Sequence, residues 1–268
     1  MIGLKTVCFI IMVLFLSCLI ASAQIIEEGG SYVQEITESF EVSEGGALSV
    51  ETIFGSIKVN LSEDRNVKVT IKEIVGVSSE EKAKELFEKL DVIIEQSAND
   101  VFVTVKKKKR FRRLKKLRLS FELSVPRNYN TDLNTGGGSI TIHHLKGNAE
   151  AKTGGGKIKM HNISGNAKAS TGGGSIAIEG VLKNVSAKTS GGSIKIMDSE
   201  GHVTANTGGG SVRVGGSNGP VTVNTGGGSI DIKEAQGSVS ANTGGGSIKA
   251  EVLGLKEKSN QIKLSSGG

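Results

Sequence analysis

The chain of 268 residues has no tryptophan, two tyrosines, two cysteines and two prolines. Both cysteines, Cys8 and Cys18, fall at the very start. Beyond them disulfides, thiol catalysis and cysteine-based zinc sites are excluded. Scarce proline beside 38 glycines excludes collagen, which needs both in quantity. Aromatic residues make up 4% of the chain and none follows Tyr129, so the second half offers a sugar no aromatic platform. Hydrophobic residues at 37% are few but enough for a core, which excludes wholesale disorder.

The first segment reads as an address. Lys5 is the only charge before Glu27, Val7 to Leu16 is almost unbroken apolar sequence, and Ala21-Ser22-Ala23 supplies a small-residue cleavage pattern. Residues 1–23 are therefore expected to be a signal peptide and the protein to be exported, to the periplasm, the cell surface or beyond the cell. The minority alternative is a lipoprotein with Cys18 as the lipidated residue, for which Phe15 makes a poor lipobox.

Charge is gathered in one place. Residues 106–118 read KKKKRFRRLKKLR, ten basic side chains in thirteen. From Gln24 onward the chain carries 32 Lys plus Arg against 27 Asp plus Glu, a net charge of +5; without that run it would be −5. The basic character belongs to one arm rather than to the whole surface.

What the chain has in abundance is a repeat. TGGGSI or a near variant begins at Thr135, Thr153, Thr171, Thr189, Thr207, Thr225 and Thr243, a period of 18 residues without a slip. A fixed period of this size means a solenoid. Each repeat has two halves with alternating apolar residues, Ile140/Ile142 and then Ala149/Ala151 in the first copy. Period-two alternation predicts short strands with one buried face, stacked about 4.8 Å apart from coil to coil. The threonines share the parity of the buried pair before them, so they are expected to form an inward row, with Asn134, Asn206, Asn224 and Asn242 just outside.

Residues 24–134 read as irregular first coils of the same kind, and 135–268 as the seven-repeat array. Leu48/Val50 and Ile57/Val59 repeat the pattern, and further strands are expected over 67–71, 101–105 and 117–125. One helix, over 79–90, interrupts them, with Ser78 and Glu81 as a capping box and Ala83, Leu86, Phe87 and Leu90 on one face. It is expected to cover the blunt end of the solenoid. The fold class is all-β with one short helix.

FGSIKV at 54–59, VPRNYNTDLNTGGGSI at 125–140 and the TGGGSI repeats resemble the bacterial putative-adhesin family of exported β-strand-repeat proteins. The resemblance spans nearly all of the chain after the signal. It implies a single-stranded, right-handed β-helix on an exported envelope protein, and it implies no catalytic residues and no cofactor. One departure is the ending Ser265-Ser266-Gly267-Gly268, which reads as the opening of another turn rather than as a cap.

Candidate sites are few. Calcium-binding repeats of the same period need an Asp where this chain has Ile140, Ile158 and Ile176. Glu179, Asp198, Asp231 and Glu234 do not form the adjacent acid pair that a polysaccharide-cleaving β-helix needs. His143, His161 and Glu179 hold one repeat position in successive coils, with His144 and Asn162 alongside. That row can supply zinc or nickel ligands, against the plain alternative of a solvated polar ladder. The arm, Lys106, Lys107, Lys108, Lys109, Arg110, Arg112, Arg113, Lys115, Lys116 and Arg118, is either a solvated hairpin or a docking element for anionic surfaces. Anionic lipid, lipopolysaccharide or an acidic wall polymer suits an exported protein; nucleic acid is disfavoured, with only Phe111 to stack. The expected function is a non-catalytic, adhesin-like envelope or surface module. The alternatives are an envelope-stress or regulatory component that holds another envelope protein at the open C-terminal end, and a polysaccharide-active enzyme.

Overall fold

The computed structural model describes residues 24–108, 116–253 and 260–267. The less regular part comprises β1 (Ile25–Glu28), β2 (Ser31–Glu41), β3 (Ala47–Thr52), β4 (Ser56–Leu61) and β5 (Asn66–Val75). After these come α1 (Glu80–Phe87), β6 (Leu90–Ser97), β7 (Asp100–Lys107), β8 (Leu117–Val125) and β9 (Asn130–Thr135). The array continues with β10 (Ile140–Leu145), β11 (Ala149–Thr153), β12 (Ile158–Ile163), β13 (Ala167–Thr171), β14 (Ile176–Val181), β15 (Val185–Thr189) and β16 (Ile194–Ser199). It ends with β17 (Val203–Thr207), β18 (Val212–Ser217), β19 (Val221–Thr225), β20 (Ile230–Ala235), β21 (Val239–Thr243), β22 (Ile248–Val252) and β23 (Ile262–Ser266).

Each coil gives one strand to each of two facing sheets, ordered β1-β2-β5-β8-β4-β10-β12-β14-β16-β18-β20-β22 and β6-β7-β3-β9-β11-β13-β15-β17-β19-β21-β23. The result is a parallel β-solenoid of about seven regular turns with one short helix near its start. As far as β20 and β21 equivalent residues stack without slippage, Ile140 on Ile158 on Ile176 on Ile194 and Ala149 on Ala167 on Val185, and the register first shifts between β20 and β22. Large Ile side chains from one sheet face mostly Ala and Val from the other, and both rows are buried.

The first strand of each coil buries a third residue that alternation alone does not predict. Leu145, Ile163, Val181, Ser199, Ser217 and Ala235 are all buried. The residue before each, His144, Asn162, Gly180, Asp198, Gly216 and Glu234, has φ between 55° and 70°. This left-handed bend leaves two consecutive side chains outside before the next turns in. Asn, Asp and Gly tolerate such a conformation best; Glu234 carries the full Cβ penalty.

The TGGG corner follows from hydrogen bonding. Thr153 is buried; its Oγ1 donates to the Gly138 carbonyl of the preceding coil (2.8 Å) and accepts from the Gly156 N–H of its own (3.2 Å). Thr171, Thr189, Thr207, Thr225 and Thr243 repeat the donation at 2.8 to 2.9 Å, so the inward threonine row is confirmed as a continuous polar seam. The third glycine must lack a side chain, because a Cβ on Gly156 would lie 1.7 Å from the Gly138 carbonyl oxygen. A Cβ on the middle glycine, Gly155, would meet nothing within 4 Å.

At the opposite corner, asparagines that the sequence reading passed over form a ladder of their own. The Oδ1 atoms of Asn130, Asn148, Asn166 and Asn184 accept from the backbone N–H of the residue 18 further on, at 2.9 to 3.2 Å. Each satisfies an amide that the turn would otherwise leave unpaired.

The N-terminal coils depart from chain order. β3 pairs in parallel with both β7 and β9, and β4 with both β8 and β10. The coil 47–61 is thus enclosed between a later coil, 101–125, and the start of the array. β5 turns back antiparallel to β8, and β2 antiparallel to β5. The helix runs over Glu80–Phe87 rather than 79–90, because Leu90 is drawn into β6 opposite Lys107. Its N-cap is Ser79, whose Oγ accepts from the Lys82 N–H, whereas Ser78 Oγ accepts from the Lys82 ammonium. Ala83 and Phe87 are buried in the core, and the helix packs on β2 and β5.

Candidate functional site

The basic run occupies a coil corner. In the array four residues separate the inward threonine from the next inward isoleucine, as from Thr135 to Ile140. In the coil of β7 and β8, Val105 takes the threonine row and Phe121 the isoleucine row, with fifteen residues between them. Lys106, Lys107 and Lys108 leave the end of β7 and are exposed, as are Lys116 and Arg118 at the return. Lys109, Arg110, Arg112, Arg113 and Lys115 lie outside the described residues, as does the expected signal 1–23.

The run is not a hairpin. β7 is flanked by β6 and β3, and β8 by β5 and β4, so neither has a free edge for the other. The described ends of the run, 106–108 and 116–118, flank the position that the TGGG corner takes in the array. Lys106 stands opposite Asp91 in the β6–β7 ladder, and the Lys108 N–H donates to the Lys89 carbonyl (3.0 Å).

The histidine row forms as its spacing implies. His143, His161 and Glu179 are direct cross-strand neighbours on β10, β12 and β14. The bend at His144 brings a third imidazole beside them. Ring centroids lie 6.3 Å apart for His143 and His144, 6.3 Å for His143 and His161, and 5.8 Å for His144 and His161. His161 Nδ1 is 3.8 Å from Glu179 Oε2, and His144 Nδ1 is 3.3 Å from Asn162 Nδ2. Partial burial, then the neighbouring His144, His161, Lys58 and Lys159, holds His143 below the usual imidazole range, towards its neutral form. Among the described residues, as the side chains stand, no group of three or more His, Cys, Asp or Glu is placed to hold a metal ion.

The remaining acids are dispersed. Asp231 pairs with Arg213 at 3.2 Å, and Asp198 and Glu234 are separated along their row by Gly216. One carboxylate escaped the sequence reading. Glu73 on β5 is 1% exposed, its Oε1 has no hydrogen-bond partner, and burial pushes its pKa up to about 7. The signal lay in the alternation Val67-Val69-Ile71-Glu73-Val75, which places Glu73 on the inward parity.

No family model and no curated protein matches the chain. Solved structures similar to it include a putative adhesin from Bacteroides fragilis, at 19% identity over 86% of this chain and 96% of that one, with a TM-score of 0.44. A putative cell adhesion protein from Clostridium sporogenes is 15% identical over 87% and 99%, TM-score 0.36. A putative lipid binding protein from Parabacteroides distasonis is 14% identical over 87% and 96%, TM-score 0.43.

Proposed function

We propose that the protein is an exported, non-catalytic, adhesin-like envelope or surface module that holds to phosphate-bearing lipid or polymer through the arm 106–118. The observation that supports this reading is the run of ten cations in thirteen residues, lying between Val105 and Phe121 where a regular coil has only four residues between its threonine and isoleucine rows. Each cation near an anionic surface contributes about 1 kcal/mol, fading within a Debye length. If half of them engage, the arm supplies about 5 kcal/mol.

The test replaces Lys106, Lys107, Lys108, Lys109 and Arg110 with Ser and Gly. The variant is expected to lose sedimentation with vesicles rich in anionic lipid while its circular dichroism spectrum stays unchanged. A wild-type protein that ignores both anionic vesicles and lipopolysaccharide at low salt sinks the proposal.

A further inference from the structure

The outer face of β10, β12 and β14 carries three of the chain's four histidines within one small patch. We infer that His143, His144 and His161 form a binding site for a late divalent transition metal, zinc, nickel or copper, that ties two successive coils together, with Glu179 and Asn162 orienting the rings.

The first ground is spacing. The three ring centroids form a nearly equilateral triangle with sides of 5.8, 6.3 and 6.3 Å. Three imidazoles bound to one ion at about 2.0–2.1 Å in tetrahedral array would have centroids about 5 Å apart. The rings therefore need to draw together by roughly an ångström, which side-chain rotation of half-exposed residues supplies without moving the sheet. A parallel ladder alone would leave only two of them, His143 and His161, on neighbouring strands. The third is present because the left-handed bend at His144 keeps two successive side chains outside.

The second ground is the set of groups behind the rings. Glu179 Oε2 lies 3.8 Å from Nδ1 of His161. A carboxylate on one ring nitrogen fixes the tautomer and leaves Nε2 with its lone pair for an ion. Asn162 Nδ2 stands 3.3 Å from His144 Nδ1; a flip of the amide would present its oxygen to Nδ1–H instead and so free Nε2 of His144 for an ion. Both groups stand within a small side-chain adjustment of holding these rings, which a row of unrelated polar residues would not offer. The donor set is all imidazole, which suits zinc, nickel and copper rather than calcium or magnesium. Lys58 and Lys159 oppose the charge of a dication, since both bear electrostatically on His143.

The fourth histidine, His202, sits at the asparagine-ladder corner, where its backbone N–H donates to Asn184 Oδ1, and provides an internal control. The experiment titrates tag-free protein with zinc alone, then with nickel and copper, by calorimetry and by NMR of the imidazole signals. One ion per chain should bind saturably, shifting His143, His144 and His161 and leaving His202 in place. His161→Ala should weaken binding at least about tenfold, and Glu179→Gln by about 10-fold or more, as for other outer partners. Lys159→Ser should tighten it and His202→Ala should leave it unchanged, all with unaltered circular dichroism. Absence of saturation at millimolar zinc, equal affinity in His161→Ala, or a matching shift of His202 overturns the inference.

Discussion

Replacing single glycines within one corner separates the stacking account from a general need for flexible turns. In the coil that begins at Thr171, a Cβ on Gly174 would stand 1.9 Å from the Gly156 carbonyl oxygen and 2.4 Å from its carbon. Relief to ordinary contact demands more than about an ångström of separation between coils that stack about 4.8 Å apart. That opening breaks the bond from Thr171 Oγ1 to the Gly156 carbonyl (2.9 Å) and the one from the Gly174 N–H to Thr171 Oγ1 (3.2 Å). At about 1 kcal/mol for each bond, with a buried hydroxyl left unpaired, Gly174→Ala should cost about 3–4 kcal/mol. A Cβ on Gly173 meets nothing within 4 Å and the residue has no left-handed φ, so Gly173→Ala should be neutral or stabilising by about 0.4–1 kcal/mol. The first glycine of the motif ranks between them. Ser190 already occupies that place in one coil, where its N–H pairs with the Gly172 carbonyl instead of with the threonine row. Urea denaturation of the wild type and both variants reads the difference. Equal losses from Gly173→Ala and Gly174→Ala would refute the reasoning.

Three further outcomes follow from the same structure. Ile194→Asp places a carboxylate between buried Ile176 and Val212 and should cost several kcal/mol, whereas Lys195→Asp, one residue on and exposed, should change the urea midpoint little. Glu234→Gly relieves a φ of 55° and should stabilise by about 1 kcal/mol in the same assay. Glu73 ionises with a pKa raised by burial from 4.5 to about 7, so folding favours its protonated form. Its contribution is complete below pH 4.5 and is lost as the pH rises through 7; stability should fall by about 2.5 kcal/mol from pH 5 to pH 8, and Glu73→Gln should remove most of that slope.

The array was legible because each coil repeats the same choice seven times, and a period of 18 leaves one way to stack Ile140 over Ile158. The inward threonines followed from parity alone. The third buried row was not legible from alternation, because a left-handed residue at His144 or Asp198 shifts parity by one place within the strand. Coil order at the N-terminal end was hidden for another reason. Val50, Val103 and Leu133 present equivalent apolar faces, and which strand lies between the other two is decided by long-range pairing that local pattern does not encode. The same uncertainty left a hairpin open as one of two readings of the basic run: two strands joined by a charged loop are adjacent by default, until β6 and β3 take both edges of β7. Of the candidate sites, the histidine row was visible in the period. The placing of His144 beside it depends on the bend.

Sedimentation of the wild-type protein with anionic and with neutral vesicles, at 0.1 M and at 1 M salt, tests the central claim most directly. The screening length falls from about 10 Å to about 3 Å over that range. The account predicts binding to anionic vesicles at the lower salt, its loss at the higher, and none to neutral vesicles at either. Equal binding to both kinds of vesicle, or binding that survives 1 M salt, would contradict it.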